Sequence, residues 1–147
     1  MMKNTLLIFA LVASASICAA AFEENVATLK ARLEHASAED RAEIAIRIAQ
    51  LQTREADRLY RDGAVDQARA AVDEIVSSAE KARDAAVESK KHLKNVEIDT
   101  RKISEKLRDI KRTLAFDDQA PVDQAMKRLE DLRTSLLKEM FKKKEKK

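Results

Sequence analysis

The sequence is poor in the residues that interrupt helices, cross-link chains or fill large cores. Its 147 residues include one glycine, one proline, one cysteine and no tryptophan. Scarce glycine and proline leave few positions for turns, and scarce aromatic residues limit the size of a core. A single cysteine excludes an intrachain disulfide. These absences favour a fold made of a few long helices.

Charge of both signs is abundant. Charged residues make up 37% of the chain, and 29 lysines and arginines against 26 acidic residues leave a net charge of +3. This near-neutral balance does not indicate a nucleic-acid partner. The basic excess is concentrated in a C-terminal tail, residues 142–147. Such a composition is typical of coiled coils and long helices.

The first 21 residues have the pattern of a cleaved secretory signal. Lys3 precedes an apolar run at residues 5–13, and Ala19, Ala20 and Ala21 provide small residues for cleavage after Ala21, or alternatively after Ala20. The run is shorter than the roughly 20 residues of a membrane span. Cleavage would remove the only cysteine, Cys18, although lipidation there is an alternative. We therefore expect an exported bacterial protein, periplasmic or extracellular.

The longest predicted element covers about residues 65–114. With Val65 at heptad position a, all but two a and d positions are apolar, and no glycine or proline intervenes. The exceptions are Ser89 and Thr100. A sustained seven-residue repeat predicts helix-on-helix packing. We predict one continuous helix of about 75 Å at 1.5 Å per residue, with an exposed stretch near residues 89–94.

Shorter helices are predicted on both sides of this one. The first covers residues 23–35, and the second runs from a cap at Ser37 to about Arg61, where Gly63 provides a turn. The last runs from about Pro121 to Phe141. We predict an all-α fold, an elongated antiparallel helical bundle with three helices at one end and a two-helix hairpin at the other. It forms a single domain, residues 22–141, followed by the basic tail.

Two resemblances accompany this pattern. The hairpin at residues 56–75 resembles a tetratricopeptide repeat, but Glu80 replaces the repeat's terminal proline and no second copy follows, so we interpret it as a generic helical hairpin. Residues 54–141 resemble exported bacterial α-helical proteins of unknown role, through the segments at 79–83, 107–114 and 116–121. This second resemblance implies no catalytic or binding residue.

No constellation of catalytic or metal-binding residues is apparent. His35 and His92, the two histidines, have no further ligand at a suitable spacing, and turn chemistry explains the pair Asp117 and Asp118. A chain with one glycine and a thin helical core does not favour a preorganised pocket. We therefore predict no enzyme activity, cofactor, metal site or small-molecule substrate.

The leading hypothesis is a non-enzymatic interaction or structural protein of the bacterial envelope, which binds a protein partner or itself through helical surfaces. The alternatives are a periplasmic client-holding chaperone and a peripheral binder of anionic lipid or cell wall through the C-terminal end. The surplus apolar and basic residues near that end suggest a binding surface. The candidate interaction residues are Leu93, Leu136, Leu137, Met140, Phe141, Lys142, Lys143 and Lys144.

Overall fold

The computed structural model describes residues 25–145, which form five helices and contain no strand. The prediction of an all-α fold is confirmed. The predicted signal segment, residues 1–21, lies outside the described residues. The helices are α1 (Val26–Leu33), α2 (Ala38–Arg61), α3 (Val65–Ser89), α4 (Leu93–Thr113) and α5 (Phe116–Glu145).

The ends of α2 follow local sequence signals. Ser37 Oγ accepts a hydrogen bond from the Asp40 N–H (3.2 Å), which satisfies a free donor in the first turn. At the other end, Gly63 has φ +75°, and the Ala64 N–H donates to the Leu59 carbonyl (2.9 Å). A residue without Cβ takes this left-handed conformation readily. The tight turn makes α2 and α3 an antiparallel hairpin.

The prediction of one continuous helix over residues 65–114 is wrong. α3 ends at Ser89 and α4 begins at Leu93. Between them Lys90 and His92 take left-handed backbone conformations, with φ of 57° and 61°. Ser89 Oγ donates to the Ala85 carbonyl (2.8 Å) and accepts from the Lys91 N–H (3.2 Å). The serine hydroxyl thus satisfies backbone groups where the helix stops.

The turn at residues 90–92 folds the α4–α5 hairpin back onto the α2–α3 hairpin. Lys106 of α4 pairs with Asp57 of α2 (3.1 Å), and Arg69 of α3 pairs with Asp118 of α5 (3.0 Å). The helices α2 to α5 therefore run alternately up and down as a four-helix bundle. This bundle replaces the predicted elongated arrangement, in which three helices lay at one end and a hairpin at the other.

One apolar core joins the four helices and explains the break. Ala49, Ile75, Leu107 and Leu129, one from each helix, are fully buried in the same cluster. Burying one leucine or isoleucine side chain contributes about 1.5–3 kcal/mol. Placing a residue with a Cβ in the left-handed backbone conformation costs about 1–2 kcal/mol. Packing the two hairpins together buries several such side chains, which outweighs two strained residues in the turn.

The short helix α1 covers one side of the α2–α3 hairpin. Leu29 is buried with Ile44 and Ile48 of α2 in a second, smaller apolar cluster. Lys30 of α1 also pairs with Glu74 of α3 (2.6 Å). The helix α1 therefore contacts both α2 and α3.

The last helix is longer than predicted at both ends. α5 begins at Phe116, not at Pro121, and continues to Glu145, not to Phe141. Pro121 lies near the N-terminus of the helix, where its missing N–H removes only the bond to the carbonyl of residue 117. Gln119 Nε2 donates to the Leu114 carbonyl (3.1 Å) and links the helix start to the preceding turn.

Candidate interaction surface

One end of the bundle gathers exposed lysines from segments that are distant in sequence. The α3–α4 turn and the first turn of α4 provide Lys90, Lys91 and Lys94, and the last turns of α5 provide Lys138 and Lys142. All five side chains are exposed. These five residues are called the lysine-rich end below.

Ion pairs between α4 and α5 set the relative positions of these lysines. Lys111 pairs with Asp123 (2.6 Å), and Glu97 pairs with Arg133 (2.8 Å), so the two helices are antiparallel. Continuing in the same direction brings the start of α4 level with about residue 137 of α5. The remaining residues of α5 run alongside and past the α3–α4 turn. The basic C-terminal segment therefore joins the turn lysines at one end of the bundle.

Direct ion pairs among the described side chains neutralise one of the five lysines of the lysine-rich end. Lys142 pairs with Glu139 (2.9 Å), but within the described side chains the other four lysines form no ion pair. The nearby Glu88 is paired with Arg41 of α2 (2.6 Å). The lysine ammonium groups are thus available for an external anionic group.

His92 holds α4 against α2 at the same end. Its Nε2 lies 3.4 Å from a carboxylate oxygen of Glu39, and its Nδ1 lies 3.3 Å from one of Glu43. The spacing of residues around His92 does not reveal these contacts, because both carboxylates come from another helix. The two glutamates face different ring nitrogens, and among the described residues no group of three His, Cys, Asp or Glu could hold a metal ion.

Two of the candidate interaction residues belong to the core. Leu136 is fully buried, and Leu93 is partly buried and packs against the same cluster. The α4–α5 pairing turns both side chains inward, and that pairing could not be read from α5 alone. In the described structure both leucines stabilise the bundle, and Leu136 is fully removed from its surface.

The other apolar candidates lie at the edge of the bundle. Leu137 and Met140 are half-buried, and the side chain of Phe141 is 58% exposed. Their spacing of three and four residues places them on one side of α5. The side chains of Lys143 and Lys144 lie outside the described part of the chain.

Phe116 is a second exposed aromatic residue, which the sequence did not single out. Its side chain is 86% exposed at the first residue of α5. Phe116 and Phe141 are separated by about 37 Å along the helix at 1.5 Å per residue. Among the described residues they are the exposed large hydrophobic side chains, and they form no continuous apolar patch.

The cavities in the described structure are open grooves. One of about 640 Å³ lies between α1 and α2, beside Thr28, Arg32 and Glu43, and one of about 240 Å³ lies between α3 and α5. None of the described helices combines the length and apolar character required to cross a membrane. Comparison of the sequence with protein-family models, curated proteins and solved structures finds no match.

Proposed function

We propose that this protein is a non-enzymatic binding protein of the bacterial envelope, and that it binds an acidic protein partner through the lysine-rich end. The observation that carries the proposal is the convergence of two basic segments, at residues 90–94 and 138–142, on one end of the bundle. Four of these lysines have no ion-pair partner among the described side chains. The envelope location is proposed from the signal-like segment at residues 1–21.

The last turns of α5 also favour a protein partner. Leu137, Met140 and Phe141 lie on one side of the helix, with Lys138 and Lys142 beside them. A helix with partly exposed apolar residues and flanking charges fits a groove on another protein. Complementary charge would orient the partner and speed its association, and a small apolar contact would slow dissociation.

An anionic lipid surface is the second candidate, because Phe141 places an exposed apolar side chain beside the basic segment. A client-holding chaperone is less well supported. Such a function needs a broad apolar surface, and the exposed large hydrophobic residues of the described structure lie at opposite ends of α5.

Charge reversal at the lysine-rich end tests the proposal. We would compare the exported protein with a variant carrying Lys90→Glu, Lys91→Glu, Lys94→Glu and Lys138→Glu as bait in an envelope extract. The matched control reverses four exposed cations elsewhere, Arg54, Lys81, Arg108 and Lys127. We expect the first variant to lose an acidic partner by about tenfold or more, and the control to retain it, because only the first removes charges facing the partner.

Raised salt should release the partner in the same experiment, since exposed charge pairs are screened at high ionic strength. Equal capture by both variants would contradict the proposal. A parallel flotation assay with anionic phosphatidylglycerol vesicles separates the second candidate. If the protein binds these vesicles through the four lysines and captures no specific protein from the extract, the lysine-rich end is a lipid-binding surface.

A further inference from the structure

The junction between α3 and α4 combines an unbroken heptad pattern with a sharp reversal of the chain. The seam residues Ala82, Ala86 and Ser89 are followed by Leu93, Val96 and Thr100, so the alternating spacing of four and three residues continues through the turn. The intervening residues are Lys90, Lys91 and His92, which a helix accommodates without difficulty. The sequence is therefore compatible with one straight helix, although the described chain turns here.

The turn itself is strained. Lys90 and His92 have φ of 57° and 61°, a region that residues with a Cβ rarely occupy. No glycine or asparagine lies among residues 90–92 to relieve this strain. Straightening residues 90–92 into α-helix would remove it. The hydrogen bonds of Ser89 Oγ support the turn locally, but they do not relieve this strain, so the packing of the two hairpins must hold the turn.

An opened single chain would expose its core. Ala79, Ala82, Val96, Ile103 and Leu107, all buried, belong to the one cluster that the two hairpins share. Exposing this cluster to water would be strongly unfavourable. A second copy of the same chain, opened in the same way, offers an identical hairpin to cover it. The contacts between the hairpins outside the turn, including the pair of Glu80 with Arg128, would form again between chains.

We propose that the protein forms a domain-swapped dimer, in which residues 65–113 become one continuous helix and two chains exchange their α4–α5 hairpins. Exchange of an identical element costs little because its contacts already exist in the monomer. The gain is the relief of the left-handed turn in each chain. The inference goes beyond the proposed binding at the lysine-rich end and does not depend on it.

Paired variants at Lys90 bias the turn in opposite directions. Lys90→Gly favours the left-handed turn and disfavours a continuous helix, whereas Lys90→Ala removes the same side chain but favours helix. Glycine thus stabilises the monomer's turn and destabilises the dimer's continuous helix, and both effects count twice because a dimer contains two chains. We therefore expect Lys90→Gly to raise the dimer dissociation constant by about 100-fold, and Lys90→Ala to leave it unchanged or lower it. Light scattering after refolding at high protein concentration measures the dimer fraction.

Chemical cross-linking identifies the exchanged hairpin. Glu80→Cys and Arg128→Cys, in a Cys18→Ser background, place one thiol on each side of the contact between α3 and α5. A short bis-maleimide should join them within one chain in the monomer peak and between two chains in the dimer peak. The two single-cysteine variants control for random contact between molecules and should give no covalent dimer.

A dimer that yields only cross-links within one chain would overturn the proposal, because it would associate through outer surfaces. A monomer at every concentration, for the parent and for Lys90→Ala alike, would also overturn it. Equal dimer dissociation constants for Lys90→Gly and Lys90→Ala would contradict the proposal that residues 90–92 become helical in the dimer. Cross-linking within the monomer shows in each case that the variant has folded.

Discussion

Tyr60 is the residue whose environment gives the clearest spectroscopic test of the fold. It is the only tyrosine, there is no tryptophan, and its side chain is buried in the core cluster. Its hydroxyl has no hydrogen-bond partner among the described atoms. Burial raises the pKa of Tyr60, Arg69 opposes the shift, and Asp118 and Asp73 add to it. The folded state therefore favours the neutral phenol.

This shift predicts a loss of stability at high pH. The unfolded chain loses the tyrosine proton at about pH 10, before the folded chain does. The stability that Tyr60 contributes as a neutral phenol is thus fully present below about pH 10. It is lost as the pH rises through the pKa of Tyr60 in the folded protein. We expect the urea midpoint to fall above pH 10, and the ultraviolet absorbance of tyrosinate to appear at higher pH in the folded protein than in urea.

Tyr60→Phe is the matched control for this titration. It removes the hydroxyl that lacks a partner, so we expect equal stability or a gain of about 1 kcal/mol at neutral pH. The two proteins carry the same lysines, so any contribution of these residues cancels in the comparison. Parallel pH profiles for the two proteins would show that Tyr60 is not buried as described.

Single residues were predictable where the chemistry is local. The cap at Ser37 and the turn at Gly63 depend only on their own side chains and immediate neighbours, and both were predicted. The contacts of His92 with Glu39 and Glu43 join residues about fifty positions apart. No spacing rule connects them, so only the assembled fold places them together.

At the scale of the helix, the sequence predicted the seam correctly and the continuity wrongly. Nearly all the predicted seam residues from Ala68 to Ile110 are buried. One local feature marked the end of the helix at Ser89, a polar seam residue within a polar run, and an exposed stretch was predicted there. The residues Lys90, Lys91 and His92 carry no strong helix-breaking tendency. The packing of one hairpin against the other decided the break.

A nearly buried ion pair joins α4 and α5 beside their shared apolar core. Arg133 donates through Nε (2.9 Å) and Nη2 (2.8 Å) to the same oxygen of Glu97, whose side chain is 12% exposed. Arg133→Met would leave this carboxylate in a poorly hydrated site without its counter-charge. We expect the free energy of unfolding, measured with urea, to fall by about 3 kcal/mol.

Two further variants separate this pair from general surface charge. Glu130→Gln removes an exposed partner of the same arginine, so we expect a loss below about 0.5 kcal/mol. The double variant Glu97→Leu with Arg133→Met removes both charges and should recover most of the stability lost by Arg133→Met alone. If Arg133→Met were no more destabilising than Glu130→Gln, the pair would not hold the two helices.

For the whole molecule, the sequence predicted which helices are sequential neighbours and not how the two hairpins meet. The short turns at Gly63 and near Ala115 made α2–α3 and α4–α5 antiparallel pairs. The reversal at residues 90–92 then brought these pairs together and left Lys138 beside the turn lysines. Of the five residues of the lysine-rich end, the sequence prediction named only Lys142. Of the apolar candidates, Leu137, Met140 and Phe141 lie at the edge of the bundle, whereas Leu136 is buried.

A single core shared by four helices predicts cooperative unfolding. Leu129 of α5 is fully buried in the cluster that also contains Tyr60 of α2. Leu129→Ala leaves a cavity and should lower the free energy of unfolding by about 2–5 kcal/mol. Because both hairpins contribute to that cluster, we expect the circular dichroism and the Tyr60 fluorescence to change at one midpoint, shifted equally by the substitution.

The exposed neighbour Lys127 provides the control for this experiment, and Lys127→Ala should change the free energy of unfolding by no more than about 0.5 kcal/mol. If the hairpins were separate folding units, Leu129→Ala would split the circular dichroism transition in two. The unfolding transition detected by Tyr60 fluorescence would then keep its original midpoint, since α2 and α3 would unfold independently of α5. Coincident, equally shifted transitions require that α5 packs on the α2–α3 hairpin, because only then does a cavity in α5 weaken the surroundings of Tyr60.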